Sequence, residues 1–271
     1  MARSKRIQPA DIPVVILAGG RGARLMEETV SIPKPMTLIG NKPILLHIMQ
    51  YYRSFGFRQF FVLLGYKGHA IKEYFLNIHK YVADVRIKGA QMSYEYDSAT
   101  LMDMDINLVE TGEHSLTGTR LARTRAHLDG PHFCLTYGDG LSDIDLKAEL
   151  DFHLRHGRLC TMAAVHPPAR FGVLKLARTG RARFEEKGRA RHDYINGGFM
   201  IFRREFLRRL PASGNYSLEG EPLTRLGGDG QLYCYRHEGY WQCMDTMRDR
   251  ETLEETYLSG QAPWTRPAPS S

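Results

Sequence analysis

The stretch VVILAGGRGARL, residues 14–25, passes from an unbroken apolar run into three glycines and two arginines. An apolar run without polar alternation is typical of a parallel strand that is buried on both faces. The turn after such a strand lies at the edge of the sheet where open α/β proteins bind their ligands. Bare glycine backbone beside positive charge therefore predicts a bound anion at this turn, and a phosphate suits both features.

Two well-known phosphate-binding loops do not match this stretch. A P-loop needs GxxxxGK[ST], which nothing near Gly19 supplies. A dinucleotide fingerprint needs GxGxxG, but after Gly20 and Gly22 the third position is Leu25. A glycine-rich turn can also be a tight connection without any ligand, and the turn alone leaves both interpretations open.

The composition is that of an ordinary soluble globular protein. Of the 271 residues, 42% are hydrophobic and 25% are charged, which suits one large α/β domain or two small ones. No apolar run approaches the roughly 18 residues of a membrane span, and no apolar region follows the basic N-terminus as in a secretory signal. We therefore expect no membrane association.

The four cysteines, Cys134, Cys160, Cys234 and Cys243, lie far apart and lack CxxC spacing. The first three lie in apolar or aromatic runs, where cysteine is usually a small buried hydrophobe. This pattern predicts a reduced, cytoplasmic protein.

The net charge is 37 − 30 = +7. It suits an anionic partner, either nucleic acid or small phosphorylated molecules, although a solvated basic surface explains it equally well. The arginines are spread along the chain instead of alternating with aromatic residues in one stripe, so we expect no nucleic-acid partner.

Strands and helices are predicted to alternate along the first 165 residues. Apolar runs predict strands at 14–18, 60–64, 105–110, 133–137 and 159–165. Helical spacing predicts helices at 43–55, with Pro43 in the first turn, at 69–77, at 118–128, and from an Asp145 cap to Gly157. Repeated strand–turn–helix units favour a parallel sheet. The short runs FGVLKL and ARFEEK, after residue 165, predict antiparallel hairpins, and the tail from Trp264 is expected to be loose.

Three further residues could act on a nucleotide. Lys34 lies on backbone stiffened by Pro33 and Pro35, which would lower the cost of ordering it against a triphosphate. Asp139 lies between two glycines after a predicted strand, and Mg²⁺ is usually held by one or two such carboxylates. Asp245 could be a second ligand or only a helix N-cap. Spacing does not decide whether the two aspartates meet.

The segment Asn196-Gly197-Gly198 opens another predicted strand. Paired glycines weaken a strand unless something must approach the backbone closely. A sugar phosphate bound there, with Lys187 on its phosphate, is one interpretation, and a β-bulge is the other.

Taken together, these motifs resemble the sugar-1-phosphate nucleotidyltransferase family, and most of all its cytidylyl-transferring members. The resemblance runs from about residue 12 to residue 264. The similar stretches are VVILAGGRGARL, PKPM, IGNKPILLHIM, GYKGHAIKEYF, TGEHSLTG, TYGDG, PPARFG, INGGFM, EPL and WQCMDTMRD.

The resemblance implies an α/β fold: a Rossmann-like core with a mixed, mostly parallel sheet and a small β-rich sugar-binding insertion. It divides the single domain into a nucleotide-binding core at 12–160, a sugar-phosphate-binding part at 161–245, and a C-terminal helix and tail at 246–271.

The resemblance also assigns roles to individual residues. Arg24, Lys34, Asp139 and Lys187 would be catalytic, and Asp139 and Asp245 would bind Mg²⁺. The nucleotide would be bound by Leu17, Ala18, Gly19, Gly20, Gly22, Arg24, Lys34, Ser115, Arg120 and Gly138. The sugar phosphate would be bound by Arg170, Lys187, Asn196, Gly197 and Trp241.

The reaction implied is transfer of a cytidylyl group from CTP to a sugar 1-phosphate, foremost α-D-glucose 1-phosphate. Another nucleoside triphosphate, another hexose or cyclitol phosphate, and a non-catalytic binding protein are the alternatives. Ala23 replaces a threonine of the family's pattern and Gly188 replaces a proline. The family also implies a homo-oligomer of unspecified size.

Overall fold

The computed structural model describes residues 7–21, 32–88, 91–96, 103–167, 173–176, 182–185 and 194–266. Its centre is a seven-stranded sheet, formed by β1 (Val14–Leu17), β4 (Gln59–Leu64), β7 (Asp105–Glu110), β8 (His132–Tyr137), β10 (Cys160–Val165), β13 (Ile195–Arg203) and β14 (Leu232–His237). From one edge of the sheet to the other, the strand order is β14-β10-β13-β8-β1-β4-β7.

Strand β1 occupies the middle of the parallel part of this sheet. It pairs in parallel with β4, Val14 opposite Phe60, and with β8, Val14 opposite Cys134. Strand β13 runs antiparallel to both β8 and β10. The sheet is therefore mixed and mostly parallel, as expected.

Eight short strands form four separate antiparallel pairs. They are β2 (Leu38–Ile39) with β3 (Lys42–Pro43), β5 (Ala83–Lys88) with β6 (Gln91–Tyr96), β9 (Gly140–Ser142) with β15 (Trp241–Cys243), and β11 (Val173–Leu176) with β12 (Ala182–Glu185). The last pair confirms the hairpin predicted from FGVLKL and ARFEEK.

Seven α-helices lie in the described part of the chain. They are α1 (Ile44–Ser54), α2 (Gly68–Leu76), α3 (His79–Val82), α4 (Thr117–Arg123), α5 (Leu146–His156), α6 (Glu221–Gly228) and α7 (Met247–Leu258). None of these helices is long and apolar enough to cross a membrane.

The helices cover both faces of the sheet, and alternate residues of each strand enter two different cores. Val14 and Ile16 of β1 pack on one side with α1, α5 and Leu253 of α7. Val15 and Leu17 pack on the other side with α4 and α6. Because β1 is buried on both faces, its sequence has no polar alternation.

Helix ends follow the predicted signals in most places. The Asp145 carboxylate accepts from the Lys147 and Ala148 backbone amides, and Gly157 ends α5 in the left-handed region at φ 62°. Pro43 is the residue before α1 and lies in β3, so its predicted place in the first turn is wrong by one position. The predicted helix at 118–128 ends early at Arg123, and a 3₁₀ turn at Arg125–His127 follows.

Three further expectations are wrong. Trp264, expected in a loose tail, lies in a 3₁₀ turn with 3% of its surface exposed, and its indole donates to His47 Nδ1. Cys234 is exposed, because β14 lies at the edge of the sheet. Asp245 is not a helix cap, because the Thr246 hydroxyl accepts the amide of Asp249 and caps α7.

Candidate active site

A cleft of about 430 Å³ opens at the carboxyl ends of β1 and β8. Parallel strands end at this edge, where ligands bind in open α/β sheets. The residues that line the cleft are Leu17, Ala18, Gly19, Gly20, Lys34, Pro35, Ser115, Leu116, Thr117, Arg120, Tyr137, Gly138, Asp139 and Asp245. All ten predicted nucleotide, metal and catalytic positions that the structure describes line this cleft, which combines the glycine turn, Lys34, Ser115, Arg120, Gly138 and both aspartates.

Arg120 is buried, with 3% of its surface exposed, and its guanidinium binds the protein's own backbone. Nη1 donates to the Leu64 and Gly112 carbonyls at 2.9 and 2.8 Å, and Nη2 donates to the Gly19 carbonyl at 2.8 Å. A Cβ on Gly19 or on Gly65 would overlap this guanidinium. Arg120 therefore supports the glycine turn from behind, which the sequence did not indicate.

Gly138 brings two neighbouring segments into close contact beneath the cleft. A Cβ at this position would lie 3.0 Å from Pro35 Cγ and 3.1 Å from the Leu17 carbonyl oxygen. The Gly138 amide donates to that same carbonyl at 3.1 Å. This packing holds Pro35, and with it the backbone of Lys34, against the end of β1.

Lys34 joins the two predicted metal ligands. Its Nζ lies 2.5 Å from Asp139 Oδ2 and 2.8 Å from Asp245 Oδ1, although the two aspartates are more than one hundred residues apart in sequence. The lysine side chain is 11% exposed. Burial alone would lower the pKa of Lys34, but the charges and hydrogen bonds of Asp139 and Asp245 outweigh it and raise that pKa. The lysine is therefore a cation held between two carboxylates.

Backbone pairing sets the distance between the two aspartates. Strands β9 and β15 pair with Cys243 opposite Gly140, and the Met244 amide donates to the Asp139 carbonyl at 2.9 Å. The amide of Asp245 donates to Asp249 in the first turn of α7 at 3.1 Å. Both carboxylates thus project from hydrogen-bonded backbone. The fold therefore brings Asp139 and Asp245 together, which their spacing in the sequence did not decide.

The predicted sugar-side residues Asn196, Gly197 and Trp241 also meet. The Trp241 indole donates to the Gly197 carbonyl at 2.7 Å, and the Asn196 amide nitrogen donates to the Tyr137 hydroxyl at 3.2 Å. The pairing of β10 with β13 shifts register between Met162 and Ala164, opposite these glycines. The β-bulge that the sequence left open is therefore present.

The sequence analysis missed several residues of the cleft and its wall. They are Pro35, Thr117, Tyr137 and Glu219. Pro35 and Tyr137 lie next to predicted positions in the sequence and Thr117 lies two residues from Ser115, whereas Glu219 is brought there only by the fold. The predicted residues Gly22, Arg24, Arg170 and Lys187, with Ala23 and Gly188, lie outside the described residues.

Known proteins resemble this chain over most of its length. The sequence profile of the family described as Nucleotidyl transferase matches residues 13–250. The chain belongs to the nucleotidyl transferase family. The resemblance to this family that the sequence motifs indicated is therefore confirmed.

Two relatives match almost end to end. Glucose-1-phosphate cytidylyltransferase from Salmonella typhimurium is 43% identical over 252 residues, covering 92% of this chain and 97% of the relative. The probable glucose-1-phosphate cytidylyltransferase from Bacillus subtilis is 36% identical, covering 92% and 98%.

A solved structure supports the nucleotidyl transferase fold. HddC from Yersinia pseudotuberculosis, complexed with GMP-PN, matches with a TM-score of 0.65 and 21% identity over 91% of this chain and 99% of that one.

Proposed function

We propose that this nucleotidyl transferase uses CTP and α-D-glucose 1-phosphate to form CDP-glucose and pyrophosphate. The observation that supports it most is the 43% identity to a glucose-1-phosphate cytidylyltransferase over 97% of that relative. In the reaction, a phosphate oxygen of the sugar phosphate attacks the α-phosphorus of CTP. The new P–O bond forms as the bond to the β-phosphate breaks, and pyrophosphate leaves with the electron pair.

Such a transfer joins two polyanions, so positioning and charge neutralisation supply the catalysis. We propose that the Gly19–Gly20 backbone admits the nucleotide and that Lys34 neutralises phosphate charge. Arg24 and Lys187 carry the same assignment from the family resemblance. Arg120 stays beneath the turn as a positioning residue, since its terminal nitrogens already bind backbone carbonyls.

The carboxylates of Asp139 and Asp245 fit a magnesium ion. Both have an oxygen within 2.8 Å of one ammonium group, so the pair already holds a cation. Two carboxylates completed by substrate phosphates and water are the usual protein environment of Mg²⁺. When bound, the ion would neutralise charge on the phosphates. Lys34, released from the carboxylates, would then turn to the triphosphate.

Three further proposals follow from the family. We assign the nucleotide to residues 12–160 and the sugar phosphate to residues 161–245, with a C-terminal helix and tail at 246–271. We also propose a cytoplasmic location and a homo-oligomeric assembly.

The proposal is tested by measuring pyrophosphate release from four nucleoside triphosphates, each against a panel of sugar 1-phosphates, with Mg²⁺ and with EDTA. We expect release with CTP and glucose 1-phosphate that EDTA abolishes. Release with another pair would replace the substrates proposed here, and no release from folded protein that binds CTP would overturn the catalytic assignment.

Asp139→Asn tests the carboxylate pair in the same assay. We expect kcat to fall at least about 100-fold, because several kcal/mol of charge stabilisation are lost. Asp229→Asn is the matched control, since that aspartate pairs with Arg209 at the surface. Equal rates in the two variants would contradict the assigned role of Asp139.

A further inference from the structure

Glu219 lies behind two residues that line the cleft and connects three separate segments of the chain. Its Oε1 accepts from the Tyr137 hydroxyl at 2.5 Å, at the end of β8. Its Oε2 accepts from the Thr117 hydroxyl at 2.6 Å and from the Ser217 hydroxyl at 2.5 Å. Tyr137 and Thr117 line the cleft, whereas Glu219 does not.

We propose that Glu219 is a positioning residue that fixes the orientation of the Asn196 side-chain amide through Tyr137. This inference rests on the proposed function, which assigns the sugar phosphate to residues 161–245 and so to Asn196. The three residues Glu219, Tyr137 and Asn196 are called the polar relay below.

The direction of each hydrogen bond in the polar relay follows from the bond between Tyr137 and Glu219. An ionised carboxylate only accepts, so the Tyr137 proton must point to Glu219. The Tyr137 oxygen can then only accept, and Asn196 Nδ2 donates to it at 3.2 Å. The other end of the amide, Oδ1, accepts from the Gly198 backbone amide at 2.8 Å. The charge of Glu219 and the Gly198 amide thus favour the same orientation of the Asn196 side chain, with Nδ2 as the donor.

The protonation state and the geometry of Glu219 both support this direction. Burial would raise the pKa of Glu219, but the hydroxyl groups of Ser217, Thr117 and Tyr137 together lower it, so the group is ionised at neutral pH. The Thr117 hydroxyl accepts from the Leu218 amide at 2.8 Å, which directs its own proton to Glu219. Oε2 is therefore fully engaged, and Oε1 remains for Tyr137.

Replacing Glu219 by glutamine reverses the polar relay while keeping its shape. The glutamine carbonyl is needed by Thr117 and Ser217, which leaves the glutamine NH₂ facing Tyr137. The Tyr137 hydroxyl must then donate to Asn196. Asn196 can accept this bond only if its side-chain amide rotates so that Oδ1 and Nδ2 exchange places. The turned amide loses its bond from Gly198 and presents the opposite end to the cleft.

The kinetic experiment compares Glu219→Gln with wild type under the conditions that give turnover. We expect KM for glucose 1-phosphate to rise about threefold to tenfold, the equivalent of one net hydrogen bond. The kcat and the KM for CTP should stay within about twofold, because an interaction present in both ground and transition states affects KM alone. Ser217→Ala is the control, since it removes a bond to Glu219 outside the polar relay.

A double variant tests whether Glu219 acts through Tyr137. Tyr137→Phe removes the hydroxyl, so adding Glu219→Gln to it should change KM for glucose 1-phosphate no further. Additive effects of the two substitutions would overturn the proposal. A rise in KM for CTP instead of the sugar phosphate would also overturn it.

A second readout needs no substrate. In ¹⁵N-labelled protein, the Asn196 side-chain amide resonance is identified by its loss in Asn196→Asp. We expect it to shift in Glu219→Gln and in Tyr137→Phe but not in Ser217→Ala. A resonance that does not move in Glu219→Gln overturns the polar relay. A shifted resonance in a protein without turnover would instead overturn the proposed function and leave the polar relay standing.

Discussion

Two pairs of adjacent glycines were predicted in the candidate active site, and the fold uses them differently. Gly19 and Gly20 follow β1, whereas Gly197 and Gly198 lie inside β13. At Gly19, space for a side chain is taken by the guanidinium of Arg120. In the second pair, Gly198 has a φ of 80° and faces the Tyr137 ring.

The difference shows that similar glycine-rich sequences can satisfy different constraints. At Gly19 the constraint is steric, because a buried arginine from a distant helix needs the room. At Gly198 the constraint is also conformational, because residues with a Cβ rarely adopt that φ. Of these four glycines, only Gly20 has open space around its Cβ position, so a bound ligand is the remaining reason for a glycine there.

The largest effect is expected from Arg120→Met. The substitution removes the charge-assisted hydrogen bonds that the guanidinium donates to the carbonyls of Gly19, Leu64 and Gly112, so the free energy of unfolding should fall by about 3–5 kcal/mol. Urea unfolding measures this change in the free energy of unfolding. Arg123→Met is the control, because that arginine is exposed and donates to the Thr111 carbonyl. Similar losses in both variants would remove the special role of Arg120.

Gly198→Ala tests the second glycine pair. A Cβ there would lie 2.6 Å from the Tyr137 ring, and the residue must keep a positive φ, so we expect destabilisation by about 2–4 kcal/mol. Gly230→Ala separates the two causes, since Gly230 has a φ of 64° but open space at Cβ. If the two variants lose equal stability, contact with Tyr137 contributes nothing.

Gly19→Ala and Gly20→Ala form a matched pair within the first turn. We expect the first to lose about 1–3 kcal/mol, since its methyl group meets Arg120. The second should change stability by no more than about 0.5 kcal/mol. Thermal unfolding of both, with and without CTP, is the measurement. Equal thermal stabilities without CTP would show that Arg120 adapts to the added methyl group.

Acid should weaken the packing of α5 against β10. Burial lowers the pKa of His153 to about 3, and its Nδ1 lies 2.8 Å from the Thr161 hydroxyl on β10, next to β13. A lowered pKa means that this stabilisation is present above the unfolded pKa of about 6.5 and is lost as the pH falls towards 3. At pH 5 the loss is about 2 kcal/mol.

Amide hydrogen exchange at pH 7 and pH 5 measures this loss after correction for the intrinsic rate. Opening free energies at β10 should fall between pH 7 and pH 5. In His153→Gln this fall should become smaller, and an unchanged fall would show that another group is responsible.

The alternation of strands and helices, and the edge at which the cleft opens, could be predicted from the sequence because burial leaves a local pattern. Val14–Leu17 is apolar on both faces, and Asp145 and Gly157 mark a helix at both ends. The glycine turn and both aspartates follow such elements, and Lys34 lies between two prolines, which is why they could be found.

The remaining features depend on contacts between residues far apart in sequence. Arg120 and Glu219 look like ordinary surface charges until the fold places carbonyls or hydroxyls around them. Asp245 could be excluded as a cap only because its neighbour Thr246 takes that position. Trp264 was expected in a loose tail because no periodic pattern surrounds it, yet it packs against His47.

The carbonyls around Arg120 come from three stretches of chain, near Gly19, Leu64 and Gly112, and the sequence separations from Arg120 range from 7 to 101 residues. No one of these stretches reaches its final hydrogen bonding until α4 has docked on the sheet. Contacts at such separations carry a large loop-closure entropy and form late. We therefore expect the glycine turn to acquire its native structure only in the folding step in which α4 docks on the sheet.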